Sequence, residues 1–554
     1  LAAQNQVIIP DTLSGLEFNL NLQNGSFEFY AGQTTNTMGV NGDILGPTLL
    51  MNKGDFVDIM VNNNLGETTT IHWHGMHVSA ANDGGPHTTI ESGTSWNPQF
   101  TVMDKAGTYW YHPHLHEKTN EHVSKGISGF IIVRDSEEAE LELPRTYGVD
   151  DFPLVIQTKD FDANYQVVSP SNSDDVLMVN ATIDPTLNVP AQVVRFRLLN
   201  GSSQRVFNIG LSGNMGFHQV ASDGGLLSET LALTRLRLAP GERAEILVDF
   251  VGMEGQSIQL MSYASEFQSG IYGATNPGMM SMMTLDGYKP NALNGSNFNI
   301  MKIQVIELTE EPVTTIPGEL VELNPPDESS ADITRNLSFT PSQLGPDQLN
   351  HPFLINNTSF DMNVINYSIP LNNIEVWSII NQSGIAHPFH IHDVQFFVLD
   401  RDGVPPPESE QGSKDVILIK PMETVRFITQ FTDFANDPVP YMMHCHMLVH
   451  EDDGMMLQFE VVDEATGLNE NKHRDEIVLF PNPSSEGESI TVILPENVIE
   501  NYQLFDLAGR KIADQQIEYP QSKIMIELNG IDEGTYILKL KANTNIYLKY
   551  IIIH

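Results

Sequence analysis

The chain has 554 residues, 40% of them hydrophobic, which is too long for one core, suits three or four domains, and excludes a disordered protein. Its 71 acidic against 28 basic residues give a formal net charge of −43, a surface that repels nucleic acid and anionic membranes. No apolar run is long enough to span a bilayer, and the single cysteine, Cys445, allows no intrachain disulfide.

In chain order, Leu1-Ala2-Ala3-Gln4 resembles the small-residue end of a signal peptide, which points to export. Many short runs of β-branched and aromatic residues follow and predict an all-β protein. Val57-Asp58-Ile59-Met60-Val61 alternates, as a half-buried strand does, whereas Gly129-Phe130-Ile131-Ile132-Val133 is apolar throughout and reads as a fully buried strand. A first β unit is expected over residues 1–145, where the acidic stretch 137–142, with Pro144 after it, reads as a linker. A second is expected over 146–312, with strands at Val193-Val194-Arg195-Phe196-Arg197-Leu198 and Ala244-Glu245-Ile246-Leu247-Val248. The acidic, Pro-bearing segment 310–330 reads as the next linker and leads to a third unit over 331–465. Each unit has the size of one β-sandwich. Residues 466–474 are polar and loop-like. A small β unit is expected over 475–554, with strands at 489–494, 502–505, 524–528, 535–540 and 547–553 and a hairpin turn at Leu507-Ala508-Gly509-Arg510.

Ten of the 18 histidines fall in four clusters: His72-Trp73-His74, His112-Pro113-His114, His387-Pro388-Phe389-His390-Ile391-His392, and His444-Cys445-His446 with His450 and Met455 after it. On a strand, residues i and i+2 share a face, so each His-X-His pair presents two imidazoles on one side. Four pairs make eight imidazoles, too many for one ion; imidazole suits copper, zinc, iron or nickel, so several ions held close together are implied. Cys445 must face away from His444 and His446. A thiolate there, with His387, His450 and a weak axial Met455, is the ligand set of a blue copper centre. The backbone of Cys445 would join the two sites.

With these residues in hand, the sequence resembles the multicopper oxidases, the family of laccases, bilirubin oxidases and bacterial copper-efflux oxidases, over roughly residues 15–463. The resemblance implies three consecutive cupredoxin-like Greek-key β-sandwich domains and four copper ions. It assigns His387, Cys445, His450 and Met455 to the type 1 copper and His72 and His390 to the type 2 copper. His74, His112 and His446 would hold one type 3 copper, and His114, His392 and His444 the other. The second domain carries no ligand and is expected to space the others and shape the substrate face. Asp83 and Glu451 match positions where the family places acids that relay protons to dioxygen. His77, His87, His116 and His122 match no ligand position and read as neighbouring or surface residues. An axial Met implies a low-to-moderate redox potential.

The tail resembles the C-terminal sorting domain of type IX secretion on Phe480-Pro481-Asn482-Pro483-Ser484, Leu507-Ala508-Gly509-Arg510 and Gly534-Thr535-Tyr536-Ile537-Leu538. It implies a secreted or cell-surface protein that engages secretion machinery and passes the periplasm and outer membrane. The partners expected are dioxygen and a small reducing substrate, with no nucleic acid and no membrane span; a monomer is expected. The laccase reading takes phenols and aromatic amines as donors. The alternative, a cuprous oxidase in copper homeostasis, draws on the soft-ligand cluster Met279, Met280, Met282 and Met283. Against it, the sequence lacks the long Met-rich insertion of the copper-efflux oxidases, and Ser383-Gly384-Ile385-Ala386 lacks their docking Asp and Met. A copper carrier would need only the Cys445 site, and the eight additional imidazoles argue against it.

Overall fold

Along the strand Phe56–Asn64, Val57, Ile59 and Val61 are buried and the residues between them are half-buried, the period-2 pattern of a sheet with one face on a core. The strand Gly129–Arg134 is buried on both faces for a specific reason. Ile131 and Val133 pack in their own core, while Phe130 packs with Val155, Met178 and Leu199 of the next group of strands. The computed structural model describes residues 5–289, 291–463, 478–484, 487, 489–494, 498–506, 510–542 and 545–553. It divides into two compact units, Leu1–Val461 and Val462–His554.

In the first unit the strands form three successive groups, each with two sheets that share one apolar core. The first pairs a five-stranded sheet that includes Thr48–Asn52, Gly129–Arg134, Gly107–His112 and His72–His74 with a sheet built on Glu17–Tyr30 and Phe56–Asn64. Leu20, Leu49, Ile59, Trp73, Tyr109 and Ile131 fill the space between them. The second group centres on Asp151–Phe161, Val193–Asn200 and Arg243–Asp249 in one sheet and Asn297–Ile306 and Ser257–Tyr263 in the other, over Phe196, Leu198, Ile246, Leu260 and Ile303. The strand Asn5–Gln6 pairs parallel with Pro185–Pro190 and so joins this group's sheet. The third group sets a sheet carrying Ile374–Asn381 and Thr424–Gln430 against one carrying His387–Ile391, Tyr441–Cys445 and Met456–Val462. Every group is all-β, and the longest helix among the described residues is Thr119–Lys125.

Both segments that read as linkers are structured. Residues 136–139 form a short helix whose N-cap, Asp135, accepts the Glu138 N–H at 2.8 Å, and Glu138 is buried against Arg134 and Arg195. The segment 310–330 forms no strand, yet Val313, Ile316, Leu320 and Val321 pack on Leu143, Val193 and Leu226. Its apolar residues are spaced among acidic ones, and composition alone hides that contact.

The second unit has a three-stranded sheet, Val478–Phe480, Ser489–Ile493 and Lys523–Glu527, and a four-stranded one over a shared core of Ile490, Leu504, Ile526, Leu538 and Ile551. The polar strand Lys511–Gln521 escapes sequence reading because it carries Pro520 and lies at the sheet edge, where a missing N–H costs no ladder bond. The strands flanking the expected hairpin turn pair antiparallel, Phe505 opposite Lys511; residues 507–509 of that turn, like the loop at 466–474, lie outside the described residues.

Candidate metal centre

Two antiparallel strand pairs build the site. His72 faces His112 where His72–His74 meets Gly107–His112, and His390 faces His444 where His387–Ile391 meets Tyr441–Cys445. Alternation sorts the side chains. Trp73, Phe389, Ile391, Met443 and Cys445 enter apolar cores, and the imidazoles between them project the other way. His387 shares the face of Phe389 and Ile391, so it meets Cys445 rather than His390 and His392.

The eight remaining imidazoles converge in one buried cluster. His74 Nδ1 lies 3.3 Å from His112 Nε2 and 3.2 Å from His446 Nε2. His114 Nε2 lies 3.1 Å from His444 Nε2 and 3.2 Å from His392 Nε2. Two nitrogens bound to one ion at about 2.0–2.1 Å stand about 3.3 Å apart at tetrahedral angles. Each triad therefore has the spacing of ligands to one ion. His72 Nε2 and His390 Nε2 are buried with no hydrogen-bond partner, and an uncompensated buried nitrogen is costly unless a metal takes it. His72, His390 and His392 have nitrogens within 4.8 Å of one another. These donors fit several closely spaced imidazole-bound ions.

The outward nitrogens are mostly held, which sets tautomer and ring orientation. His72 Nδ1 donates to the Asp83 carbonyl at 3.0 Å, His112 Nδ1 to Pro113 O at 2.7 Å, His390 Nδ1 to Asp415 O at 2.8 Å and His444 Nδ1 to Cys445 O at 3.0 Å. His392 Nδ1 meets Asp83 Oδ2 at 2.7 Å. Glu451 lies across the cluster, 3.4 Å from His114 Nδ1 and 3.3 Å from His444 Nδ1. His74 is inverted: Nδ1 points in, and Nε2 meets Asp415 Oδ1 at 3.1 Å.

The second cluster is smaller. His387 Nδ1 and His450 Nδ1 are 3.2 Å apart, and Cys445 Sγ is 3.5 Å from each. Phe353 packs on both rings, Ser383 Oγ holds His387 Nε2 at 2.8 Å, and Met455, fully buried, accepts the Cys445 N–H on its carbonyl at 3.0 Å.

Burial sets the charge states. It holds His387 and His446 down to about 3 and His392 to about 4, so these imidazoles are neutral and able to ligate. Burial also pushes the Cys445 thiol up. The two carboxyls diverge. Burial raises Asp83, but His72 and His392 beside it outweigh that and hold it below the usual carboxylate range. Burial, with Asp452 adding to it, keeps Glu451 protonated well above that range.

All twelve ligand-type residues of the sequence reading thus lie in or beside these two clusters, with Asp83 and Glu451 at the edge of the larger. His77, His87, His116 and His122 join neither: His77 donates to Asp393 O at 2.7 Å, His87 meets Gln458 at 2.8 Å, His122 meets Thr69 at 3.0 Å, and His116 lines a cavity of about 580 Å³ with His351 and Asp453. Sequence reading missed Asp415, Ser383 and Thr70, whose Oγ1 accepts the His114 N–H at 2.6 Å. Asp415 lies outside any His-X-His spacing and reaches His74 only through long-range folding; Thr70 stands two residues before His72 but is no ligand type, and Ser383 was read only for the docking groups its segment lacks.

Comparison with known proteins agrees with this geometry. Family models described as multicopper oxidase match residues 21–138 and 324–465, and a secretion system C-terminal sorting domain matches 478–554. The multicopper oxidase mco of Staphylococcus haemolyticus is 34% identical over 83% of this chain and 93% of its own length. The cell division protein FtsP of Sodalis glossinidius is 31% identical over 84% of this chain and 94% of its own. Among solved structures, the laccase-like multi-copper oxidase CueO from Ochrobactrum sp., described as active towards lignin model compounds and lignosulfonate, superposes with a TM-score of 0.72 at 32% identity, covering 82% of this chain and 100% of that one.

Proposed function

Since this chain belongs to the multicopper oxidases, oxidoreductases with oxygen as acceptor, we propose that it oxidises phenols and aromatic amines one electron at a time and reduces dioxygen to water. In this reading four coppers are bound: type 1 by His387, Cys445, His450 and Met455, type 2 by His72 and His390, and the type 3 pair by His74, His112 and His446 and by His114, His392 and His444. Bound there, copper supplies the one-electron redox chemistry and the site where dioxygen is reduced. One observation carries the proposal: Cys445 Sγ points at His387 and His450, while the residues bonded to its backbone on either side, His444 and His446, each enter a histidine triad. The covalent backbone is the conducting link between donor side and oxygen side.

The chain's own groups do the rest. Burial keeps bulk water from the eight imidazoles, and it holds the rings of His74, His112, His114, His390 and His444 well below the usual histidine range, in the neutral form. Glu451 holds a proton beside the His114 and His444 rings, and ionised Asp83 accepts the hydrogen bond of His392 Nδ1 on the other side, so an acid and a carboxylate flank the cluster. The laccase-type relative from Ochrobactrum supports the donor class. The sorting domain supports export to the cell surface or beyond, through the periplasm and outer membrane.

A second reading, oxidation of Cu(I), has one observation in its favour. Met279 N–H donates to Gly384 O at 2.8 Å, three residues before His387, and Met279, Met280 and Met282 are exposed on that loop. Oxygen uptake by the copper-loaded protein separates the two. The proposal expects a higher kcat/KM with a methoxyphenol than with Cu(I); a preference for Cu(I), lost in M279L/M280L/M282L, supports the second reading instead.

A further inference from the structure

We propose that Arg243, from the middle group of strands that supplies no ligand, is a positioning residue of the histidine cluster, acting through Asp415 on His74. The inference rests on the assignment of these histidines to copper.

Arg243 opens the strand Arg243–Asp249 and is fully buried. Its guanidinium has five N–H groups in a rigid fork, and each has an acceptor. Nε donates to Thr108 O at 3.1 Å, in the strand that carries His112. Nη1 donates to Gly241 O at 3.1 Å and Nη2 to Asp223 O at 2.9 Å, both in its own group. The other two donate side by side to the Asp415 carboxylate, at 2.6 Å each. One side chain thus ties all three groups together next to the cluster, with no freedom left to move.

Asp415 is where this anchoring meets the ligands. Its Oδ1 accepts from His74 Nε2 at 3.1 Å and its carbonyl from His390 Nδ1 at 2.8 Å. With Nε2 protonated and held by Asp415, Nδ1 is the only lone pair His74 can offer a metal. The other seven imidazoles turn Nδ1 outward, so the inverted ring of His74 needs a carboxylate fixed at this point and no other. Gly75 records the same constraint. It has φ +85°, and a Cβ there would lie 2.5 Å from Arg243 Nη2 and 2.6 Å from Asp415 Oδ2. The glycine that ends His72-Trp73-His74-Gly75 leaves room for the ion pair. The same turn of the middle group reaches a second ligand, since a Cβ on Gly241 would lie 2.9 Å from the His446 ring.

The test compares Arg243→Gln, Arg243→Lys and a control, Arg237→Gln, in the copper-loaded full chain. Arg237 also bridges the middle and third groups, to Glu410 at 2.6 Å, but pairs with no histidine among the described residues. Copper per chain is measured after dialysis against a chelator, with the blue absorbance of the thiolate site, the type 2 electron paramagnetic resonance signal and steady-state kinetics. R243Q is expected to keep the blue absorbance, to lose cluster copper about 10–100-fold more readily, and to lower kcat without changing KM for the reducing donor. R243K keeps the buried cation but not the fork, and is expected to follow R243Q in copper loss; it carries the test if R243Q does not fold. Copper retention and signals equal to wild type in both variants, or equal loss in R237Q, would overturn the proposal. Wild-type protein that takes up no copper at the cluster would instead overturn the functional reading beneath it.

Discussion

At the residue scale, two positions separate electron entry from proton supply. Cys445, the proposed thiolate ligand, is bonded through its backbone to two cluster histidines, His444 and His446. Cys445→Ser replaces the thiolate by a poor copper ligand of nearly the same size. It is expected to abolish the blue absorbance and all oxidase turnover, while copper at the eight imidazoles remains measurable by metal analysis. Glu451 is a different case, because its carboxyl meets two rings by their outward nitrogens and carries a proton. Glu451→Gln keeps shape and removes the acid. Turnover in oxygen-uptake assays should fall by roughly 10²-fold or more with an unchanged KM for the donor, the loss expected of a general acid. A loss confined to KM would place Glu451 in binding instead.

At the element scale, the helix Thr119–Lys125 is held by groups far from it in sequence. Asp452 accepts the Thr119 and Asn120 N–H groups at 2.9 and 3.0 Å, a cap supplied by another segment. Lys159, in the strand Asp151–Phe161, donates Nζ to Ser124 O at 2.7 Å from a buried position. No carboxylate offsets that burial, which pulls Lys159 down to about 7 from 10.5. The folded state thus prefers the neutral amine, and the unfolded chain binds the extra proton between these two pH values. Stability attributable to Lys159 is complete above pH 10.5 and is lost as pH falls towards 7. Lys159→Met should remove a slope of about 1.4 kcal/mol per pH unit across that window. Thermal melts of both proteins from pH 7 to 10 would show it as a gain in Tm for the variant that shrinks as pH rises; parallel curves would refute it.

At the scale of the whole molecule, the oxidase and the tail have separate cores. Phe389, Cys445 and Phe459 belong to one, and Ile490, Leu504 and Ile551 to another. A chain ending at residue 463 should therefore keep copper binding and turnover within about twofold of the full chain, as independent domains do, yet fail to reach the cell surface or medium. Fractionation of expressing cells with activity assays on each fraction would check both halves. Loss of turnover on truncation would mean that the tail supports the oxidase core.

Sequence alone was sufficient for the all-β class, for the histidines that gather with Cys445 in two buried clusters, and for the alternation that turns Cys445 away from His444 and His446. These depend on period 2, and alternation is a local property of an extended backbone: His444, Cys445 and His446 must alternate wherever the strand lies. The sorting tail was legible for a similar reason, in short motifs. Tertiary structure alone decided that Asp415 and Arg243 support the histidines. Asp415, Ser383 and Arg243 stand outside the motifs, and Arg243 reaches His74 only because three sandwiches close around one point. Hydrogen bonds between residues more than a hundred positions apart leave no spacing in a sequence. Nor does composition reveal that the acidic segment 310–330 packs Val313, Ile316, Leu320 and Val321 on the middle group.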